Sequence, residues 1–147
     1  MKEQYLIFTF QFYKMTEKQL HILIAEDDED DADLICEIFN NNLNFGKVSL
    51  VTNGGELINF LKDTANEKPD VILTDINMPI LNGIEALHEI LNNNDLKNIP
   101  CFVYSTSINH SYKEKCDVLG VKGYLIKPYS YEVFAEIPKT ILSSIEE

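Results

Sequence analysis

Short apolar runs alternate with longer amphipathic segments from residue 21 almost to the end of the chain. This alternation is typical of βαβ units, in which helices join parallel strands. Five apolar runs predict five strands, at Ile22 to Glu26, Val48 to Thr52, Val71 to Asp75, Cys101 to Ser105 and Tyr124 to Ile126. We therefore predict an α/β domain built on a small, doubly wound parallel sheet.

The segments between these runs predict the helices that cover the sheet, at about residues 31 to 41, 55 to 64, 83 to 92, 111 to 119 and 130 to 145. The first segment carries an apolar stripe that would pack one helix face on the sheet. Pro138 lies within the last segment, where a proline removes a backbone hydrogen bond. It therefore either kinks the last helix or marks the start of a separate final segment.

Residues 1 to 20 precede the domain, which we place at residues 21 to 145. The apolar run near the N-terminus is interrupted by polar residues and lacks a small-residue cleavage site, so it does not predict a signal peptide. Tyr5 to Phe12 have the composition of a strand, whereas Met15 offers a second start for the chain. Residues 1 to 14 are thus either an additional edge strand or an extension upstream of the true start.

Composition narrows the classes of partner. Twelve basic and twenty-four acidic residues give the chain of 147 residues a net charge of −12. Such a charge repels nucleic-acid phosphates and anionic lipids, so we expect neither nucleic acid nor membrane as a partner. Three cysteines without a CxxC pair predict neither a disulfide framework nor a zinc site. A reducing compartment, the cytoplasm, fits this composition best.

Reactive side chains follow four of the five predicted strands. Glu26 and Asp27 end the first strand, Asp75 the third, Ser105 the fourth and Lys127 the fifth. In open α/β sheets the functional crevice lies at the carboxyl ends of the strands, so these groups should converge. Close carboxylates repel by about 4 kcal/mol per pair at an effective dielectric near 20. A divalent cation with oxygen ligands, Mg²⁺ in preference to Ca²⁺, would offset that repulsion.

Other polar residues have simpler interpretations. The acids at 28 to 31 suit a solvated turn and the first turn of a helix, where they interact favourably with the helix dipole. The histidines are scattered and lack the spacing of metal ligands, so we expect His21, His88 and His110 at the surface. The cysteines are interpreted as packing residues. A lone Asp at a strand end is usually a turn former or a helix cap, so the case for Asp75 rests on its partners.

Four segments resemble, in order and spacing, the conserved blocks of two-component response-regulator receiver domains: ILIAEDDEDDADL, PDVILTDINMPILNGIEAL, IPCFVYSTS and GYLIKPYS. The resemblance covers about residues 21 to 145. It implies a flavodoxin-like fold with five βα units around a five-stranded parallel sheet. It also implies a stand-alone receiver, without an output domain.

The resemblance assigns the central roles at the strand ends. Asp75 corresponds to the phospho-acceptor, and Glu26 and Asp27 to the acidic pair that holds Mg²⁺ together with it. Lys127 corresponds to the lysine that pairs first with the carboxylate and then with the phosphoryl group. The peptide bond between Lys127 and Pro128 is often cis in this family.

The resemblance also assigns supporting roles. The main-chain carbonyl of Asn77 is implied as a further Mg²⁺ ligand. Ser105 takes the place of the switch hydroxyl, with Thr106 as the alternative, and Tyr124 that of the aromatic residue that rotates on activation. Asn77 and Ser107 occupy positions expected to tune hydrolysis of the acyl phosphate.

The implied function is signalling. A phosphohistidine of a sensor histidine kinase or phosphotransfer protein would donate its phosphoryl group to Asp75, and the message would pass by protein contact to a downstream target. The blocks specifically resemble receivers that serve bacteriophytochrome-type kinases, and a homodimer is a further expected partner state. On this interpretation the chain is not an enzyme beyond its own phosphorylation and dephosphorylation.

Two other functions remain open. A small Mg²⁺-dependent phosphatase or phosphotransferase of the haloacid-dehalogenase type would also use an aspartyl phosphate. Such an enzyme wants a second Asp two residues after the nucleophile, where this chain has Asn77. A pseudo-receiver would bind its partners without phosphorylation, although the complete set of acids, hydroxyl and lysine disfavours it.

Overall fold

Five parallel strands form one sheet in the order β2-β1-β3-β4-β5. The computed structural model describes residues 18–106 and 109–146. The predictions for residues 1 to 14 and for Ser107 lie outside these described residues. The strands are β1 Leu20–Ala25, β2 Phe45–Val51, β3 Val71–Asp75, β4 Cys101–Ser105 and β5 Gly123–Ile126. The predicted doubly wound sheet is confirmed, and the predicted bounds of β3 and β4 coincide with the observed ones.

Helices follow each strand, as βαβ units require. They are α1 Glu29–Asn40, α2 Gly54–Lys62, α3 Gly83–Leu91, α4 His110–Leu119, α5 Tyr131–Phe134 and α6 Ile137–Ile145. Side chains accept backbone N–H bonds at the starts of α1 to α5, where four donors otherwise lack helical partners. At α3 the side chains of Asn82 and Glu85 form a reciprocal capping box.

Two apolar clusters cover the two faces of the sheet. Because side chains alternate along a strand, Leu23 of β1 packs with the cluster beneath α2, α3 and α4, whereas Ile22 and Ile24 pack with the cluster beneath α1, α5 and α6. Both faces of the central strands are therefore buried. This burial explains why these strands have continuous apolar runs in the sequence.

The structure decides the two readings of Pro138. Residues 130 to 145 form two helices instead of one, and Pro138 lies in the first turn of α6. A first-turn position suits proline, because its missing N–H would have no helical partner there. The prediction of a separate final segment is thus confirmed, and the prediction of a kinked single helix is wrong.

Three further predictions can be compared with the structure. His88 and His110 are exposed as predicted, but the prediction for His21 is wrong, since it is buried within β1. The described residues contain no cis peptide bond, so the bond before Pro128 is trans, contrary to the implied cis form. Among the described residues, no helix has the length and apolar character needed to cross a membrane.

Candidate functional site

The parallel register brings the acidic strand ends together. Ala25 of β1 pairs with Thr74 of β3, so Glu26 and Asp27 follow β1 beside Asp75, the last residue of β3. Glu26 and Asp75 are buried, whereas Asp27 is exposed. The three predicted carboxylate ligands therefore form an acidic cluster that is open to solvent on one side.

The loop after Asp75 folds tightly back on its strand. The N–H of Gly83 donates to the carbonyl of Ile76 at 2.8 Å. A Cβ atom on Gly83 would lie 2.1 Å from the Asp75 carbonyl oxygen, so only glycine permits this approach. Within the loop, the exposed Ile80 has φ 72°, an uncommon value for a β-branched residue. Backbone of this kind collects at functional sites.

Lys127 is the cationic centre of the site. Its Nζ atom lies 2.6 Å from Glu26 Oε1, 3.1 Å from Asp75 Oδ2 and 3.1 Å from Asp31 Oδ2. The lysine is only 6% exposed. Lys127 directly follows β5, and its N–H donates to the Ser105 carbonyl at 2.7 Å. This bond continues the β4–β5 ladder and brings Lys127 to the carboxyl edge of the sheet.

Burial and charge act in opposite directions on the ionisable groups. Burial raises the pKa of Glu26, and hydrogen bonds from Lys127 and Tyr104 oppose this rise. Burial alone would lower the pKa of Lys127, but the hydrogen bond to Glu26 and the charges of Asp75 and Glu26 raise it overall. The ammonium is consequently held in its charged form. Paired in this way, the buried carboxylates and ammonium are compatible with a low-dielectric environment.

The acidic cluster has the chemistry of a divalent-cation site. Glu26, Asp27 and Asp75 each offer a carboxylate oxygen, and these oxygens lie within 4.8 Å of one another. Hard oxygen ligands with one side open to water suit Mg²⁺, which retains several of its waters. The single charge of Lys127 offsets only part of the charge of three carboxylates. The residues therefore fit a divalent cation by ligand type, spacing and charge.

The remaining predicted residues are placed as follows. Ser105 is buried at the end of β4, and the next residue, Thr106, is exposed. Tyr124 is half-buried in β5 and packs against the cluster beneath α2, α3 and α4. Asn77 is exposed in the loop after Asp75. These positions agree with the implied roles, which stay predictions.

Two residues of the site were missed at the sequence level. The hydroxyl of Tyr104 donates to Glu26 Oε1 at 2.7 Å, although the position of Tyr104 in an apolar strand indicates only a core residue. Asp31 was interpreted as a solvated residue of the first helical turn. It does lie in the first turn of α1 with a side chain that is 33% exposed, but it also binds Lys127, a contact that was not predicted. A helix start beside the carboxyl edge of the sheet was the available signal for Asp31. Nothing in the sequence indicated the hydrogen bond of Tyr104.

The acidic run after β1 is divided at Asp28. The Asp28 side chain accepts the N–H of Asp31 at 2.9 Å and is the N-cap of α1. Glu26 and Asp27 belong to the acidic cluster, whereas Glu29 lies in the first turn of the helix. The predicted helix-start role is confirmed for Asp28.

Comparisons with known proteins agree with this geometry. Residues 22–137 match the family model described as the response regulator receiver domain. The chain is 33% identical over 110 residues to the response regulator Rcp1 of Synechocystis sp., covering 72% of this chain and 75% of Rcp1. It is also 33% identical over 114 residues to a protein-glutamate methylesterase/protein-glutamine glutaminase of Clostridium acetobutylicum, covering 76% of this chain but only 31% of that protein. The chain thus spans about a third of that larger relative.

Solved structures give the same likeness. The crystal structure of the phosphorylated cyanobacterial phytochrome response regulator RcpA has a TM-score of 0.78 and 34% identity, covering 84% of this chain and 91% of RcpA. The Mn²⁺-bound form of Rcp1 has a TM-score of 0.77 and 30% identity, covering 84% of this chain and 92% of Rcp1. These structures share the five-stranded parallel architecture described above.

Proposed function

Because the chain belongs to the response regulator receiver domain family, we propose that Asp75 accepts a phosphoryl group from the phosphohistidine of a sensor histidine kinase or phosphotransfer protein. One observation carries the proposal: Lys127 Nζ lies 3.1 Å from Asp75 Oδ2, beside the acidic cluster. The flexible ammonium of a lysine that contacts the acceptor carboxylate can move its contact to the phosphoryl oxygens when the carboxylate becomes an acyl phosphate.

Transfer forms a bond between an Asp75 carboxylate oxygen and phosphorus and breaks the phosphorus–nitrogen bond of the donor, whose imidazole nitrogen keeps the electron pair. Asp75 is oriented for this step, since its Oδ1 accepts the N–H of Ile76 at 2.7 Å and its Oδ2 contacts Lys127. Mg²⁺, held by Glu26, Asp27, Asp75 and the Asn77 carbonyl, would neutralise charge on the transferring phosphoryl oxygens.

Further residues then respond to the negative charge of the phosphoryl group on Asp75. We assign Ser105, which is buried at the end of β4, as the residue whose hydroxyl donates to a phosphoryl oxygen. We assign Tyr124 as the residue that carries the change towards the surface, and Asn77 and Ser107 as the residues that tune hydrolysis. The phosphoryl charge thereby shifts an equilibrium between inactive and active surfaces.

The partners follow from the same proposal. The likeness to Rcp1 and to the phytochrome response regulator RcpA favours a phytochrome-type histidine kinase as donor. The output passes by contact with a downstream protein, and a second copy of the chain is a further candidate partner. The three cysteines are all free, which supports a location in the reducing cytoplasm.

Intact-mass measurement tests the proposal. Incubation with acetyl phosphate and Mg²⁺ should add one labile phosphoryl group to the wild type and none to Asp75→Asn. Asp95→Asn is the matched control, because Asp95 is an exposed acid outside the site, and it should be modified like the wild type. Chelation of Mg²⁺ with EDTA should abolish the modification in the wild type and in Asp95→Asn.

Each alternative has its own outcome in the same assay. A wild type that stays unmodified with acetyl phosphate and with every cognate kinase tried would establish the pseudo-receiver. Turnover of many equivalents of a small phosphate ester would establish the phosphatase. The exposed amide of Asn77, at the position where that enzyme needs a general acid, argues against such turnover.

A further inference from the structure

We propose that Tyr104 is a positioning residue that orients the Glu26 carboxylate and thereby sets the affinity of the acidic cluster for Mg²⁺. The inference rests on the metal-binding part of the proposed function. It concerns a residue that precedes Ser105 in β4 and pairs in register with Asp75 of β3. Tyr104 therefore lies directly beside Asp75, the proposed phospho-acceptor at the end of β3.

Tyr104 is completely buried, and its hydroxyl is hydrogen-bonded to the Glu26 carboxylate. The ring packs in the cluster beneath α1, α5 and α6, and its hydroxyl lies 2.7 Å from Glu26 Oε1. A phenol, with an ordinary pKa of about 10, is protonated at neutral pH and acts as the donor. Since a carboxylate can only accept, the direction of this hydrogen bond is settled.

The two oxygens of Glu26 have different protein partners. Oε1 receives two short bonds, from the Tyr104 hydroxyl and from Lys127 Nζ at 2.6 Å. Within the described part of the chain, Oε2 receives only the N–H of Asp28, at 3.3 Å. The inner oxygen is thus held by the protein, which leaves Oε2 as the oxygen available to a cation. Partners that orient metal ligands in this way usually affect affinity strongly.

The length of Glu26 explains why a second donor matters. Glutamate has one more rotatable bond than aspartate, so Lys127 alone leaves the carboxylate free to turn about its contact. The Tyr104 hydroxyl adds a second fixed point, and the Glu26 side chain is 0% exposed. An aspartate at position 26 would be about one C–C bond, roughly 1.5 Å, too short to keep a 2.7 Å bond to Tyr104 without backbone movement. The role of Tyr104 should therefore depend on the glutamate.

Tyr104→Phe removes the hydroxyl and keeps the ring. The Lys127 ammonium lies 4.7 Å from the centroid of that ring, a cation–π contact that phenylalanine retains. Mg²⁺ titration of the unphosphorylated full chain by calorimetry should give a dissociation constant about tenfold higher than that of the wild type. In acetyl phosphate reactions the half-saturating Mg²⁺ concentration should rise similarly, while the rate at saturating Mg²⁺ changes much less.

Two comparisons separate positioning from a general structural effect. Tyr112→Phe is the control outside the site, because the ring of the half-buried Tyr112, like that of Tyr104, faces a lysine, Lys115, at 5.9 Å from its centroid. Its Mg²⁺ affinity should equal that of the wild type. In a Glu26→Asp background, Tyr104→Phe should change the affinity less than twofold, because the hydrogen bond is already lost. This non-additivity is the signature of a direct contact.

The outcomes distinguish this inference from the proposed function. Wild type that binds no Mg²⁺ would overturn the metal-binding step and the inference together. Wild type that binds Mg²⁺, with unchanged affinity in Tyr104→Phe, would overturn only the inference, as would an equal loss in the Glu26 and Glu26→Asp backgrounds. If urea unfolding shows that Tyr104→Phe is only partly folded, the titrations of wild type and variant are repeated in sucrose, which favours the folded state, and the loss of Mg²⁺ affinity should persist.

Discussion

An ionisable side chain is buried at each end of β1, and the two side chains differ in their partners. Glu26, just beyond the carboxyl end, is 1% exposed, and His21, near the amino end, is 5% exposed. Glu26 is bound by Lys127 and Tyr104. His21 has Ser49 Oγ 2.9 Å from its Nε2, while its buried Nδ1 has no hydrogen-bond partner among residues 18–106 and 109–146. One end keeps its charge by pairing, whereas the other is buried as a neutral group.

Burial is the largest influence on the pKa at both ends, and its effects have opposite signs. It raises the pKa of Glu26 and lowers that of His21, where Lys47 lowers it further and Asp70 and Glu67 oppose the shift. Folding therefore takes up a proton at Glu26 just above its ordinary pKa and releases one at His21 just below its ordinary pKa. Acidification through about pH 6.5 weakens the fold at His21. Further acidification, near the ordinary pKa of glutamate, favours the fold at Glu26. At the carboxyl end Lys127 is a cation paired directly with the carboxylate, whereas at the amino end the charges of Asp70 and Glu67 offset only part of the cost of burying an imidazolium.

The largest expected effect comes from removing that cation. Lys127→Met leaves Glu26 and Asp75 buried beside each other with no positive partner, which should lower the free energy of unfolding by about 3 to 5 kcal/mol. Urea unfolding without divalent cations measures this loss. Millimolar Mg²⁺ should recover part of it, because the acidic cluster would then bind a cation that the unfolded chain does not bind.

Lys62→Met is the matched control for Lys127→Met. Lys62 and Glu89 form an ion pair of 2.8 Å in which both side chains are about half exposed. Surface pairs of this kind contribute about 0 to 1 kcal/mol, so the control should be nearly as stable as the wild type, both without divalent cations and with Mg²⁺. Equal losses in the two variants would remove the distinction between a buried and an exposed pair on which the comparison depends.

A smaller effect is expected at the amino end, in the pH dependence of stability. The unfolded chain binds a proton at His21 below about pH 6.5, while the folded chain resists it, so wild-type stability should fall as pH decreases towards about 5. His21→Phe keeps an aromatic ring beside Phe60 and removes the titration. Urea midpoints between about pH 7 and 5 should therefore decline less in this variant. His88→Gln, at an exposed histidine, should decline like the wild type.

The comparison also shows what could be predicted from the sequence. Alternating apolar runs predicted the sheet, and the rule that strand ends converge placed Glu26, Asp75 and Lys127 together. Contacts that depend on the side-chain packing of distant segments could not be read in this way. The hydrogen bond of Tyr104 to Glu26 spans 78 residues. His21 looked like a surface residue because its partner, Ser49, lies on the neighbouring strand and 28 residues away.

The smallest expected effect is at Asp31, which tests how far the charged network of the carboxyl end extends towards solvent. The Asp31 side chain is 33% exposed and lies 3.1 Å from Lys127 Nζ. Partial exposure screens the pair, so Asp31→Asn should reduce the free energy of unfolding by less than about 1 kcal/mol. Asp30→Asn is the control, because Asp30 lies in the same helical turn and shares its interaction with the helix dipole. The difference between the two variants in low-salt urea unfolding therefore reports the Lys127 pair alone. A loss in Asp31→Asn as large as that in Lys127→Met would show that Asp31 belongs to the buried network and not to its screened edge.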